Sequence, residues 1–93
     1  MTRVLVVEDE RSLLRALAMN LTARGYDVTE AETGTRALSA AAAEEPDVIL
    51  LDLGLPDISG MDVIKGVRAY ASTPIIVLSA RTATTEKVTA LDL

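Results

Sequence analysis

Val48-Ile49-Leu50-Leu51-Asp52 is the stretch on which the fold turns. Its four apolar residues run without a polar interruption, as a parallel strand buried on both faces requires, and the run stops at a carboxylate. Pro46 closes the segment before it. The same pattern recurs on either side. Val4-Leu5-Val6-Val7 ends in Glu8-Asp9-Glu10, and Ile75-Ile76-Val77-Leu78, opened by Pro74, ends at Ser79. All three runs read as buried strands that finish in oxygen-bearing side chains.

The intervening segments read as helices and one edge strand. From about Arg11 to Arg24, Leu14, Leu17 and Leu21, flanked by Leu13 and Ala18, recur at helical spacing, and Gly25 stands where a helix stops. Tyr26 to Ala31 alternates apolar and polar, which suits an edge strand with one wet face. Thr35 to Ala43 is an alanine-rich helix, and Met61, Ile64 and Val67 mark an amphipathic helix reaching about Tyr70 after the turn-forming stretch Leu53 to Gly60. Thr84 to Leu93 reads as the start of another helix. This alternation predicts one α/β domain over residues 1–93, a doubly wound sheet with right-handed crossovers. In such sheets ligands bind beyond the carboxyl ends of the strands.

Composition narrows the chemistry. Fourteen acids against nine bases leave a net charge of −5, which argues against nucleic-acid binding by this segment and favours a cationic partner. With no cysteine and no histidine, any metal must be held by oxygen, so hard cations such as magnesium lead. The amino-terminal apolar run is too short for a signal peptide or a membrane span, and a cytoplasmic protein is the expectation.

The residues just past the strands are Glu8, Asp9, Asp52 and Ser79. Two carboxylates ~4 Å apart repel by roughly 4 kcal/mol at an effective dielectric of 20, so their convergence calls for raised pKa values or a bound cation. A carboxylate beside such a cation can attack phosphorus and become an acyl phosphate, and Ser79 offers a hydroxyl to the new group. Simpler roles stand beside these. Glu10 complements the start of the first helix, Ser79 could cap or turn the chain, Asp57 reads as a surface turn residue, and Gly54 and Gly60 serve backbone geometry.

Val6-Val7-Glu8-Asp9-Glu10, Ile49 to Asp57 with Gly60, and Pro74 to Ala80 together resemble the response regulator receiver family of bacterial two-component systems, in particular regulators with a winged-helix DNA-binding output. The resemblance spans the chain and implies a flavodoxin-like sheet of strand order 2-1-3-4. It makes Asp52 the phosphoacceptor, Asp9 a direct magnesium ligand, Glu8 a metal partner acting through water, the Gly54 carbonyl a further ligand, and Ser79 the switch hydroxyl. It also implies a sensor histidine kinase as phosphodonor, DNA contact only through a separate output domain, no membrane contact, and no enzymatic role of the domain's own.

One departure accompanies the match. The family carries a lysine on a fifth strand, then an aromatic switch residue and a fifth helix, and the sequence stops at Leu93 before all three; Lys65 and Lys87 do not match that lysine. A receiver truncated in this way leaves its fourth strand as an exposed apolar edge, from which homodimerisation or element swapping is expected. Two rival readings share the topology. A flavin- or nucleotide-binding domain would need a glycine-rich phosphate cradle where Glu8-Asp9-Glu10 stands. A non-phosphorylated interaction module gains weight from the missing lysine.

Overall fold

The computed structural model describes residues 1–78 and the backbone of Val88–Leu91. Strand β1 (Arg3–Val7), helix α1 (Arg11–Ala23), strand β2 (Asp27–Ala31), helix α2 (Gly34–Glu44), strand β3 (Val48–Asp52), helix α3 (Gly60–Arg68) and strand β4 (Ile75–Leu78) alternate as the sequence predicts, and strand β5 (Val88–Leu91) follows. The first four strands are parallel in the order β2-β1-β3-β4, and β5 lies outside β4.

Each helix begins on a side chain that accepts one of its free N–H groups. Glu10 accepts from Leu13 N–H at 3.2 Å, Thr33 from Arg36 N–H at 3.1 Å, and Ser59 from Met61 N–H at 3.0 Å. Glu10 thus has the helix-starting role expected of it. Gly25, just past α1, has φ +95°, a left-handed backbone conformation that favours glycine.

The alternation of side chains along each strand sorts the core into two layers. Leu5, Val7, Ile49, Leu51, Ile75 and Val77 pack beneath α2 and α3, against Ala37, Ala41, Val63, Ile64 and Val67. Val4 and Val6 face the other way and pack against Leu14 of α1. Edge strand β2 keeps Asp27 and Glu30 exposed and buries only Ala31 fully, which matches its mixed sequence.

The region after β4 corrects two expectations. Val88–Leu91 is a strand, antiparallel to β4 with Leu78 opposite Val88, where Thr84 to Leu93 reads as a helix start. It follows that β4 is not the bare edge that the truncated receiver implied. The physical reason is the open side of β4, whose N–H and C=O groups need partners more than a short segment needs a helix of marginal stability. Residues 79–87 are too few for the crossover of about a dozen residues that a parallel return requires, so the added strand is antiparallel. Ser79 and Lys87 lie outside the described residues. Among the described residues no helix is long and apolar enough to cross a membrane.

Candidate metal and phosphoryl site

Register brings the acids together. Val7 of β1 pairs with Leu51 of β3, so Glu8, one residue on, comes level with Asp52. The N–H of Glu8 donates to the Ala31 carbonyl at 3.0 Å, which carries the ladder one step past β1. Asp9 then turns away from the sheet and is half-buried. The result is a trio in which one carboxylate oxygen each from Glu8, Asp9 and Asp52 lies within 4.8 Å of the others.

Two of these acids are enclosed, Glu8 at 2 % exposure and Asp52 at 3 %. Buried like charges at this spacing repel by roughly 3 kcal/mol per pair at an effective dielectric of 20. The response is visible at Glu8, whose carboxyl is pushed up to about 7, first by burial and further by the charges of Asp52 and Asp9, against the lowering effect of the Glu10 N–H. That N–H donates to Glu8 Oε2 at 2.9 Å. Such a cluster relaxes either by holding a proton or by admitting a cation.

The donor set fits magnesium. The three side chains offer only oxygen, and two of them come from the ends of strands fixed by the sheet. Gly54 sits in the loop directly after Asp52, its N–H donating to Asp52 Oδ1 at 3.2 Å, and its carbonyl belongs to the same short turn. The structure therefore places Glu8, Asp9 and Asp52 in one group with Gly54 beside it. Ser79, the remaining expected site residue, lies outside the described residues, although its neighbour Leu78 is the register partner of Asp52.

The loop from Leu53 to Ser59 is closed at its base. The Gly60 N–H donates to the Leu53 carbonyl at 3.3 Å. A Cβ at Gly60 would stand 2.7 Å from Leu53 Cα, a backbone atom that cannot swing away. Gly60→Ala is therefore expected to destabilise the chain by about 1 to 3 kcal/mol, read from urea unfolding; an unchanged midpoint would show that the loop yields freely.

Asp57 is the residue that sequence reasoning undervalued. It is exposed, as a surface turn residue should be, yet its carboxylate accepts from Gly34 N–H at 2.8 Å, Thr35 N–H at 2.9 Å and Thr35 Oγ1–H at 2.6 Å. The Thr35 hydroxyl and the two N–H groups hold its carboxyl well below the usual carboxylate range. No local pattern around Asp57 announces partners so distant in the chain.

Known proteins give this geometry a family. The response regulator receiver domain family matches residues 4–93. The transcriptional regulatory protein KdpE of Mycobacterium tuberculosis is 60 % identical over 92 residues, covering 99 % of this chain and 41 % of that protein. KdpE of Escherichia coli, the KDP operon transcriptional regulatory protein, is 49 % identical over the same shares. Among solved structures, the response regulator TrrA of Thermotoga maritima, in complex with Mg(2+)-BeF, superposes with a TM-score of 0.82 at 34 % identity, covering 89 % of this chain and 73 % of that one. The chain spans about two fifths of the length of the curated relatives. A flavin- or nucleotide-binding reading is not favoured, because the loop after β1 presents acids where a phosphate cradle needs N–H groups. Strand order, acidic trio and sequence similarity agree that the chain belongs to the response regulator receiver domain family and is similar, within it, to the Kdp-type regulators.

Proposed function

We propose that this domain accepts a phosphoryl group on Asp52 in a magnesium-dependent transfer from a sensor histidine kinase. The observation that carries the proposal is the trio of Glu8, Asp9 and Asp52, with Glu8 and Asp52 buried, at the carboxyl ends of two adjacent strands. Asp9, Asp52 and the Gly54 carbonyl would hold the cation directly, and Glu8 through water. When bound, the ion supplies charge neutralisation for the phosphoryl oxygens.

The covalent step belongs to Asp52. One carboxylate oxygen attacks phosphorus, the new O–P bond forms as the N–P bond to the kinase imidazole breaks, and the departing nitrogen takes up a proton. The product is an aspartyl phosphate. Ser79, directly after Leu78, would donate its hydroxyl to a phosphoryl oxygen and so draw in the chain that follows β4. Transcriptional output, through DNA contact by a separate domain, is proposed for the longer protein by analogy with the KdpE relatives, and a cytoplasmic location goes with it. Self-association would involve β5, now the outer strand on that side of the sheet.

The test uses magnesium chloride and acetyl phosphate with the intact chain, followed by mass measurement. A single phosphoryl adduct that needs magnesium supports the reading. Failure to form one, in protein shown to be folded and to bind magnesium, would sink it.

A further inference from the structure

The two sides of the acidic trio are referenced to the same short piece of backbone. On one side, Glu8 donates its N–H to the Ala31 carbonyl at 3.0 Å. On the other, the loop that carries Gly54 reaches outward to the start of α2, a few residues on from Ala31, where Asp57 accepts from the N–H groups of Gly34 and Thr35 and from the Thr35 hydroxyl. Residues 31–35 therefore bracket the site, and Asp57 is the fastening on the loop side.

We propose that Asp57 is a positioning residue for the metal site, holding the loop from Leu53 to Ser59 to the start of α2 so that Gly54 keeps its place beside Asp52. Three hydrogen-bonded points help to fix the loop. Gly54 N–H is bonded to Asp52 Oδ1 at 3.2 Å, Gly60 N–H closes on the Leu53 carbonyl at 3.3 Å, and Asp57 fastens the outer bend. The first two lie near the base of the loop. Leu55 and Ile58 pack the arc against the core by apolar contact, which has no preferred direction, whereas Asp57 fixes it by directed bonds, and a carbonyl ligand for magnesium tolerates little displacement because the ion demands near-octahedral geometry.

Asp57 is suited to the part. Its three donors come from one helix start, two of them backbone groups that have no partner within the helix. Its carboxyl lies well below the ordinary range, so the fastening stays charged under ordinary conditions. The side chain lies beyond Gly54 in the loop and belongs to none of the three acids that meet at the site. Its effect on magnesium would therefore pass through the backbone.

The inference rests on the proposed magnesium site, and the experiment separates the two. Magnesium chloride alone is titrated calorimetrically into wild type, Asp57→Ala, Asp57→Asn and Thr35→Val, with folding checked by circular dichroism. Asp57→Ala is expected to bind magnesium about tenfold more weakly or worse, as when the groups that orient a ligand are removed from metal sites. Thr35→Val, which keeps both N–H donors, and Asp57→Asn, which keeps the shape and a carbonyl acceptor, should lose less. A purely structural Asp57 would lower the melting temperature and leave magnesium affinity within twofold of wild type in the folded variants, and that result overturns the inference. Should Asp57→Ala not fold, the same comparison is decided by Asp57→Asn. No saturable magnesium binding by wild type would remove the underlying site as well.

Discussion

Replacing Asp52 with Asn is expected to abolish the phosphoryl adduct completely while leaving the chain folded. The substitution keeps the shape of a residue that is 3 % exposed, but an amide is not a competent nucleophile toward phosphorus. It also withdraws one negative charge from the trio. The Asp52 charge is among the causes that raise Glu8, so in Asp52→Asn the Glu8 carboxyl should titrate lower than in wild type, and metal-free protein at neutral pH should melt no lower. Intact mass after acetyl phosphate treatment reads the first effect, and carboxyl titration followed by NMR reads the second. Labelling of Asp52→Asn at the wild-type level would move the acceptor elsewhere in the cluster.

Magnesium binding should weaken about tenfold between pH 8 and pH 6, because Glu8 must lose a proton that it holds up to about pH 7. The direction follows from where the proton sits. Between about pH 4.5 and about pH 7 the folded, metal-free chain keeps the Glu8 proton that the unfolded chain has released. Stability of the metal-free protein therefore falls as pH rises through that window, and magnesium, which binds the deprotonated cluster, should restore it most above pH 7. Asp57 works in the opposite sense. Its carboxyl is depressed, so what it contributes is present above its unfolded value of 3.8 and is lost as pH falls further, outside the window in which Glu8 acts. Glu8→Gln isolates the first effect. Its magnesium affinity should be weaker than wild type at pH 8 and nearly flat down to pH 6. Calorimetric titrations at the two pH values decide, and a wild-type affinity that does not change between them would remove Glu8 from the account.

What could be read from sequence divides along physical lines. The strands β1, β3 and β4 are legible because burial on both faces demands uninterrupted apolar runs, and Val4–Val7, Val48–Leu51 and Ile75–Leu78 have almost no other reading. The trio is legible for a related reason. A carboxylate directly after such a run must stand at the rim of the sheet, and once β1 and β3 are neighbours the register brings Glu8 beside Asp52. The family resemblance added residue roles, Gly54 and Ser79 above all, that no periodicity carries. Two features were not legible. Val88–Leu91 is too short for its own pattern to choose between helix and strand, and the choice was made by the open side of β4. Asp57 looked like an ordinary turn residue because its partners, Gly34 and Thr35, are neighbours only after the sheet has formed.

The unequal layering of the core has a consequence for how the molecule opens. Helices α2 and α3 share one continuous apolar layer, built on Leu5, Val7, Ile49, Leu51, Ile75 and Val77. Helix α1 rests on a thinner one, in which Val4, Val6 and Leu14 are fully enclosed while Leu17 and Leu21 remain half-buried. Helix α1 has the smaller set of fully enclosed partners, so its amides are expected to exchange with solvent ahead of those in α2 and α3, an order that hydrogen exchange checks. Glu10, which starts that helix, directly follows Glu8 and Asp9, so each such excursion would loosen the chain at the rim where two of the acids are held.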